Sequence, residues 1–198
     1  LMHLWVKYDR INTQAIMPSN SKRYNIKGHA HELTFSCYKR QGFLNNDQTR
    51  QLFANALIYA RRTHNYEIWA YVIMPEHVHV MIYPKNDEYS ISDILKSIKQ
   101  SVSRRVVKQL KDNNSPLLTR MRTGLSSTEY RFWQDGGGYD RNYVSPDEIL
   151  KQINYIHNNP VRRRLVDNPC DWYWSSASEW LMGGEGPVSI DREFIPEM

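Results

Sequence analysis

Glu67-Ile68-Trp69-Ala70-Tyr71-Val72-Ile73-Met74-Pro75-Glu76-His77-Val78-His79-Val80-Met81-Ile82-Tyr83 is the stretch that decides the fold. Two runs rich in β-branched and aromatic residues flank a Pro-Glu break. With so short a gap, the two strands pair as an antiparallel hairpin. In the second run His77 and His79 are two residues apart, so they share one face of the strand while Val78 goes to the other. The strand is otherwise apolar, and two neighbouring imidazoles there need a reason. They can chelate one divalent metal between them, or they are two hydrogen-bonded histidines of no chemical consequence.

Working outward, residues 30–39 alternate, with Leu33, Phe35 and Cys37 on one face, and predict another strand. Asn46-Asp47 reads as the cap of a helix to about His64. Leu52, Phe53, Ala56, Leu57 and Ala60 form its apolar stripe, with Arg50, Arg61 and Arg62 outside. Downstream, Ser90 or Ser92 caps a second helix whose stripe is Ile91, Ile94, Leu95, Ile98, Val102, Val106 and Leu110; Asn113-Asn114-Ser115-Pro116 ends it. Residues 115–128 read as a loop, Tyr130-Arg131-Phe132-Trp133 as a short strand, and Gly136-Gly137-Gly138 as a flexible turn. Ser145-Pro146-Asp147-Glu148 starts a third helix, with proline at its first position and acids in its first turn. Ile149, Ile153 and Ile156 are its stripe, and Pro160 limits it. The aromatic Asp171-Trp172-Tyr173-Trp174-Ser175-Ser176 is expected to pack back on the domain. The order β-α-β-β-α-β-α predicts an α+β fold, an antiparallel sheet with helices mainly on one face. The expected division is an N-terminal extension over 1–26, a domain over 27–182 and a tail over 183–198.

A chain of 198 residues can bury a core without disulfides, and its two cysteines, Cys37 and Cys170, are too few and too far apart for a disulfide framework or a Cys-based zinc finger. No apolar run approaches the roughly 20 residues that cross a bilayer. The first residues are too short and polar for a secretory signal, so the cytoplasm, beside the nucleoid, is the expected compartment. The net charge of +5 is unevenly spread. Lys96, Lys99, Arg104, Arg105, Lys108, Lys111, Arg120 and Arg122 fall between residues 95 and 125, opposed only by Asp112. Such a stretch is either a solvated helix face or a surface for a polyanion.

Tyr155 and Asn159 are four residues apart, on one face of the third helix. A tyrosine can attack phosphorus when a metal polarises the phosphate, and an amide oxygen one turn on can complete the metal's coordination. The same spacing equally fits a tyrosine of the core followed by a capping asparagine.

Met74-Pro75-Glu76-His77-Val78-His79, followed by Tyr155-Ile156-His157-Asn158-Asn159-Pro160-Val161, resembles the REP-associated tyrosine transposases of the HUH (His-hydrophobic-His) superfamily. Phe132-Trp133-Gln134 and the aromatic segment at 171–176 add to the likeness, which runs from about residue 27 to 180. The resemblance implies a ferredoxin-like HUH fold and a metal-dependent nuclease and strand transferase for single-stranded DNA at REP-type hairpins. His77, His79 and Asn159 would hold Mg²⁺ or Mn²⁺, and Tyr155 would form a 5′-phosphotyrosine linkage. Lys96, Lys99, Arg104, Arg105 and Lys108, with Arg120, Arg122, Arg162 and Arg163, would contact DNA. The acting unit would be a monomer or a homodimer, with no membrane partner. Arg164 stands where the family often has glycine, and Tyr139, beside the glycine turn, offers a rival nucleophile. Glu76 is expected to face away from His77, and His157 to point elsewhere than Tyr155. Two other functions fit: a hairpin-binding protein that no longer cuts, and a hydrolase in which water, not Tyr155, attacks.

Overall fold

Residues 23–192 and 195 are described in the computed structural model. The N-terminal extension therefore lies outside the described residues as far as residue 22, as do residues 193, 194 and 196–198 of the tail. Four strands, β1 (Ala30–Ser36), β2 (Tyr66–Ile73), β3 (His77–Pro84) and β6 (Tyr139–Tyr143), form an antiparallel sheet in the order β2-β3-β1-β6. A small hairpin of β4 (Arg122–Leu125) and β5 (Thr128–Tyr130) stands apart. The helices are α1 (Asp47–His64), α2 (Ile91–Asp112), α4 (Pro146–His157) and the short α3 (Leu117–Arg120), α5 (Asn159–Arg162) and α6 (Ala177–Met182).

Strand alternation sorts the side chains into two cores. Leu33 and Phe35 of β1, Ile68, Tyr71 and Ile73 of β2, and Val78, Val80 and Ile82 of β3 pack under α1 and α2. Trp69, Val72 and Met74 pack on the other side with Met81 of β3 and with Ile149, Ile153 and Ile156 of α4. The two long helices thus share one face, and α4 has the other to itself. Since His77 and His79 have the parity of Met81, the pleat aims them at α4.

The helix ends follow their signals. Asn46 Oδ1 accepts from the Thr49 backbone N–H at 2.9 Å, Asn65 closes α1 in a left-handed conformation, and Ser90, not Ser92, caps α2. Arg50 is not outside as expected. It is 8% exposed, bonded to Asp47 and packed against the rings of Trp172 and Trp174, because the aromatic C-terminal segment covers that side of α1. The segment also covers the free edge of β2: Ile73 N–H donates to Trp174 C=O and Ser176 N–H to Tyr71 C=O.

The fourth strand differs from the sequence reading. Tyr130-Arg131-Phe132-Trp133 contributes the last residue of β5 and one isolated bridge from Trp133 to Cys37, while Phe132 and Trp133 turn into the core beneath α1 and α2. The strand that pairs with β1 begins at Tyr139, directly after the glycines, where a flexible turn was expected. Its polar alternation hides it: Asp140 faces inward, where His31 receives it, Nδ1 to Oδ1 at 2.8 Å, and Arg23 lies 3.6 Å from its other oxygen. Likewise residues 115–128, read as loop, hold α3 and most of the β4–β5 hairpin.

Candidate active site

His79 is buried at 7% exposure and bonded on both sides of its ring. Nδ1 lies 2.8 Å from Thr34 Oγ1 and 3.1 Å from Glu32 Oε1; Nε2 lies 3.1 Å from the side-chain nitrogen of Asn159. His77 stands edge-on to it, ring centroids 5.0 Å apart. Its Nδ1 is 3.2 Å from Glu76 Oε1, and the same carboxylate oxygen accepts from Arg163 at 2.9 Å. The expectation that Glu76 faces away is thus corrected. Met74 N–H donates to His77 C=O across the Pro75-Glu76 turn, and the tight reversal folds the carboxylate back beside the imidazole. Burial holds the His77 pKa below its ordinary value despite that carboxylate, whereas the hydrogen bond from His77 holds Glu76 low. Together these directions describe a neutral imidazole donating to an ionised carboxylate.

Tyr155 comes from above, on α4. Its ring is 5.8 Å from that of His79 at 84°, and the Arg162 guanidinium lies 4.9 Å from its centroid. Asn159 is the first residue of α5, yet the four-residue spacing holds across the helix junction. Asn158 keeps a right-handed helical conformation, and Arg163 N–H donates to Asn159 C=O as a continuous turn requires. The stripe of Ile149, Ile153 and Ile156 seats α4 on the sheet, which brings Tyr155 and Asn159 over the histidines of the same chain. His157 points elsewhere, as expected: it is buried, with Nε2 2.9 Å from Ser176 Oγ.

The family model for IS200-like transposases matches residues 23–159, from the segment before β1 through Asn159. The chain belongs to the IS200-like transposase family. It is 26% identical over 172 residues to the REP-associated tyrosine transposase of Escherichia coli K12, spanning 86% of this chain and 89% of that one. It is also similar in fold to a solved REP-associated tyrosine transposase bound to a REP hairpin: TM-score 0.65, 21% identity, 91% of this chain and 95% of the other covered.

In this transposase the basic residues singled out from sequence do not all gather at the site. Arg162 and Arg163 adjoin it. Lys96, Arg104, Arg105 and Lys108 are exposed on α2, in the layer on the opposite side of the sheet. Lys99 is partly buried: its Nζ donates to Gly136 C=O at 2.8 Å, and burial, with Arg23 nearby, pushes its pKa down to about 8. Arg120 is bonded to the Gln41 side chain, and exposed Arg122 opens the β4–β5 hairpin. Tyr139 sits on the first position of β6 rather than on a flexible loop. Thr34 is in register with both Tyr139 and His79, so Tyr139 shares the face of His79 but lies two strand spacings away, roughly 10 Å.

Sequence reading missed Glu32, Thr34 and Tyr143. Glu32 is 4% exposed, and Tyr143 donates to its second oxygen at 3.3 Å. Their signal was present: Glu32 and Thr34 alternate with Leu33 and Phe35, two polar residues on the strand face opposite the core stripe. Among the described residues no three His, Cys, Asp or Glu side chains gather into a metal-binding group, and no helix is long and apolar enough to cross a membrane. A metal here would rest on His77 and His79, with the amide of Asn159 as third donor. Nitrogen and amide oxygen donors of this kind fit a small divalent cation that keeps water and substrate oxygens as its other ligands.

Proposed function

We propose that this transposase cuts and rejoins single-stranded DNA beside a hairpin, with Tyr155 as nucleophile. The observation that carries the reading is the placement of the Tyr155 ring 5.8 Å from His79, whose Nε2 is 3.1 Å from the Asn159 amide. A nucleophile, an imidazole pair and an amide converge there from separate elements. His77, His79 and Asn159 would hold Mg²⁺ or Mn²⁺, which would polarise the scissile phosphate and stabilise the departing oxygen. The Tyr155 oxygen forms a bond to phosphorus as the bond from phosphorus to the 3′ oxygen breaks. The phenolic proton is lost to water, and the departing 3′ oxygen takes a proton from water and leaves as a hydroxyl. The resulting 5′-phosphotyrosine keeps the energy of the broken diester, so a 3′-hydroxyl can attack it and rejoin DNA without ATP. Arg162 steadies the Tyr155 ring and, being exposed, can pair with a phosphate; exposed Arg104, Arg105 and Lys108 would take hairpin phosphates on the far side of the sheet. Since Tyr155 and both histidines come from one chain, a monomer can complete the site.

The test is a covalent-adduct assay with Mn²⁺ and single-stranded oligonucleotides carrying hairpin repeats. The expected outcome is an SDS-resistant protein–DNA band, absent with Tyr155→Phe and retained with Tyr139→Phe. A band lost only with Tyr139→Phe would move the nucleophile to β6. Cleavage without a band, unaffected by Tyr155→Phe, would indicate attack by water. Hairpin binding with neither cleavage nor a band would identify a protein that grips DNA without cutting it.

A further inference from the structure

Both histidines of the site carry a carboxylate on the same ring nitrogen. At His77 it is Glu76, 3.2 Å from Nδ1; at His79 it is Glu32, 3.1 Å from Nδ1, with Thr34 Oγ1 at 2.8 Å between them. Thr34 in turn donates to the same Glu32 oxygen at 3.3 Å. A carboxylate oxygen facing a ring nitrogen is an acceptor, so the geometry puts the proton of each ring on Nδ1 and the lone pair on Nε2. At His79 the opposite edge agrees: an amide N–H of Asn159 points at Nε2, as it can only if that nitrogen is an acceptor. Neither carboxylate is left loose. Glu32 is 4% exposed and also accepts from Tyr143, and Glu76 is tied by Arg163 to the end of α5.

We propose that Glu76, and Glu32 together with Thr34, are positioning residues that fix His77 and His79 as Nδ1–H tautomers and leave each lone pair on Nε2, the ring edge away from the carboxylate. This rests on the reading of the two histidines as metal ligands and extends it to the groups that orient them. The pairing has the chemistry of a carboxylate–histidine–metal arrangement, in which the outer carboxylate fixes the ring and strengthens its basicity. The Arg163 bond has a further consequence. It ties the helix turn that follows Tyr155, through Glu76, to the first histidine.

Long-range proton–nitrogen NMR spectra of the histidine side chains, taken on the metal-free full chain at pH 8, report each tautomer directly. Both His77 and His79 are expected as Nδ1–H; either one found predominantly as Nε2–H would overturn the assignment for that residue without any variant. Calorimetric titration with Mn²⁺ in the absence of DNA supplies the second readout. Glu76→Ala is expected to weaken Mn²⁺ binding about 10–100-fold, with Glu76→Gln, which keeps an acceptor oxygen, recovering part of the loss. Glu32→Met combined with Thr34→Val is expected to do the same through His79, its fold checked by the dispersion of the same spectra. Unchanged Mn²⁺ affinity in Glu76→Ala would overturn the positioning role. If the wild-type chain takes up no Mn²⁺ while both histidines are Nδ1–H, the metal reading fails and the orientation of the rings is supported.

Discussion

His157 is buried two residues beyond Tyr155, bonded to Ser176 and packed edge-on to Trp180. Burial pushes its pKa down to about 3, well below the roughly 6.5 of an unfolded histidine. Between those values the unfolded chain binds a proton that the folded chain refuses. Its contribution is therefore complete above pH 6.5 and is lost progressively as pH falls toward 3. We expect roughly 3 kcal/mol of stability to disappear on this account between pH 6.5 and 4. In thermal melts His157→Gln should flatten that part of the Tm–pH curve. Arg164 gives a second outcome at this scale. Its φ is +55°, a left-handed conformation usually left to glycine, and its N–H donates to Val161 C=O to close the turn after α5. Arg164→Gly should raise stability by about 1 kcal/mol in urea unfolding, since the side chain's steric penalty disappears. These two residues also mark what a local reading can do. The place of Arg164 in a helix-ending turn follows from the residues around it, but the partner of His157 lies in a segment that no local pattern connects to α4.

The elements most legible in the sequence were those with apolar periodicity and clear ends. The β2–β3 hairpin, α1 from its Asn46 cap, α2 from Ser90 and α4 from Pro146 all form where read. β6 was not legible, because Tyr139, Arg141 and Tyr143 alternate with polar residues whose partners come from elsewhere in the chain. Its start depends on Gly138. At φ +75°, a Cβ there would fall 2.4 Å from Thr34 C=O, a backbone atom of β1 with no room to withdraw. Gly138→Ala should therefore cost about 2–3 kcal/mol and fray the β1–β6 ladder, visible in hydrogen exchange. Gly136→Ala provides the contrast. Its φ is +83° but its would-be Cβ meets nothing within 4 Å, so only the conformational penalty of about 1 kcal/mol applies.

Across the whole molecule, the candidate catalytic groups and the basic cluster of α2 occupy different layers. The histidine pair and Tyr155 lie between the sheet and α4, while Arg104, Arg105 and Lys108 are exposed on α2 beyond the sheet. A DNA hairpin bound on α2 must therefore send its single strand around the molecule to reach the site. Replacing Arg104, Arg105 and Lys108 together by Gln should lower the slope of log affinity against log salt by roughly 2–3 and weaken hairpin binding at physiological salt. At saturating DNA the rate of adduct formation should be unchanged. Fluorescence anisotropy over a salt series and single-turnover gels measure the two effects separately.

The sequence by itself determined the phase of each element. A two-residue period places His77 and His79 on one face of a strand, and a turn of helix places Tyr155 and Asn159 on one helical face. Those are local properties, fixed by backbone geometry and readable without a partner. Only the tertiary structure decided that the two faces meet. That depends on Ile149, Ile153 and Ile156 finding Trp69, Val72, Met74 and Met81 across the sheet, a packing choice spread over more than eighty residues of chain. The same holds for Glu32, Thr34 and Arg163. Their places beside the histidines come from strand register and from the seating of α5, and hydrogen bonds between elements leave no period in the sequence to read.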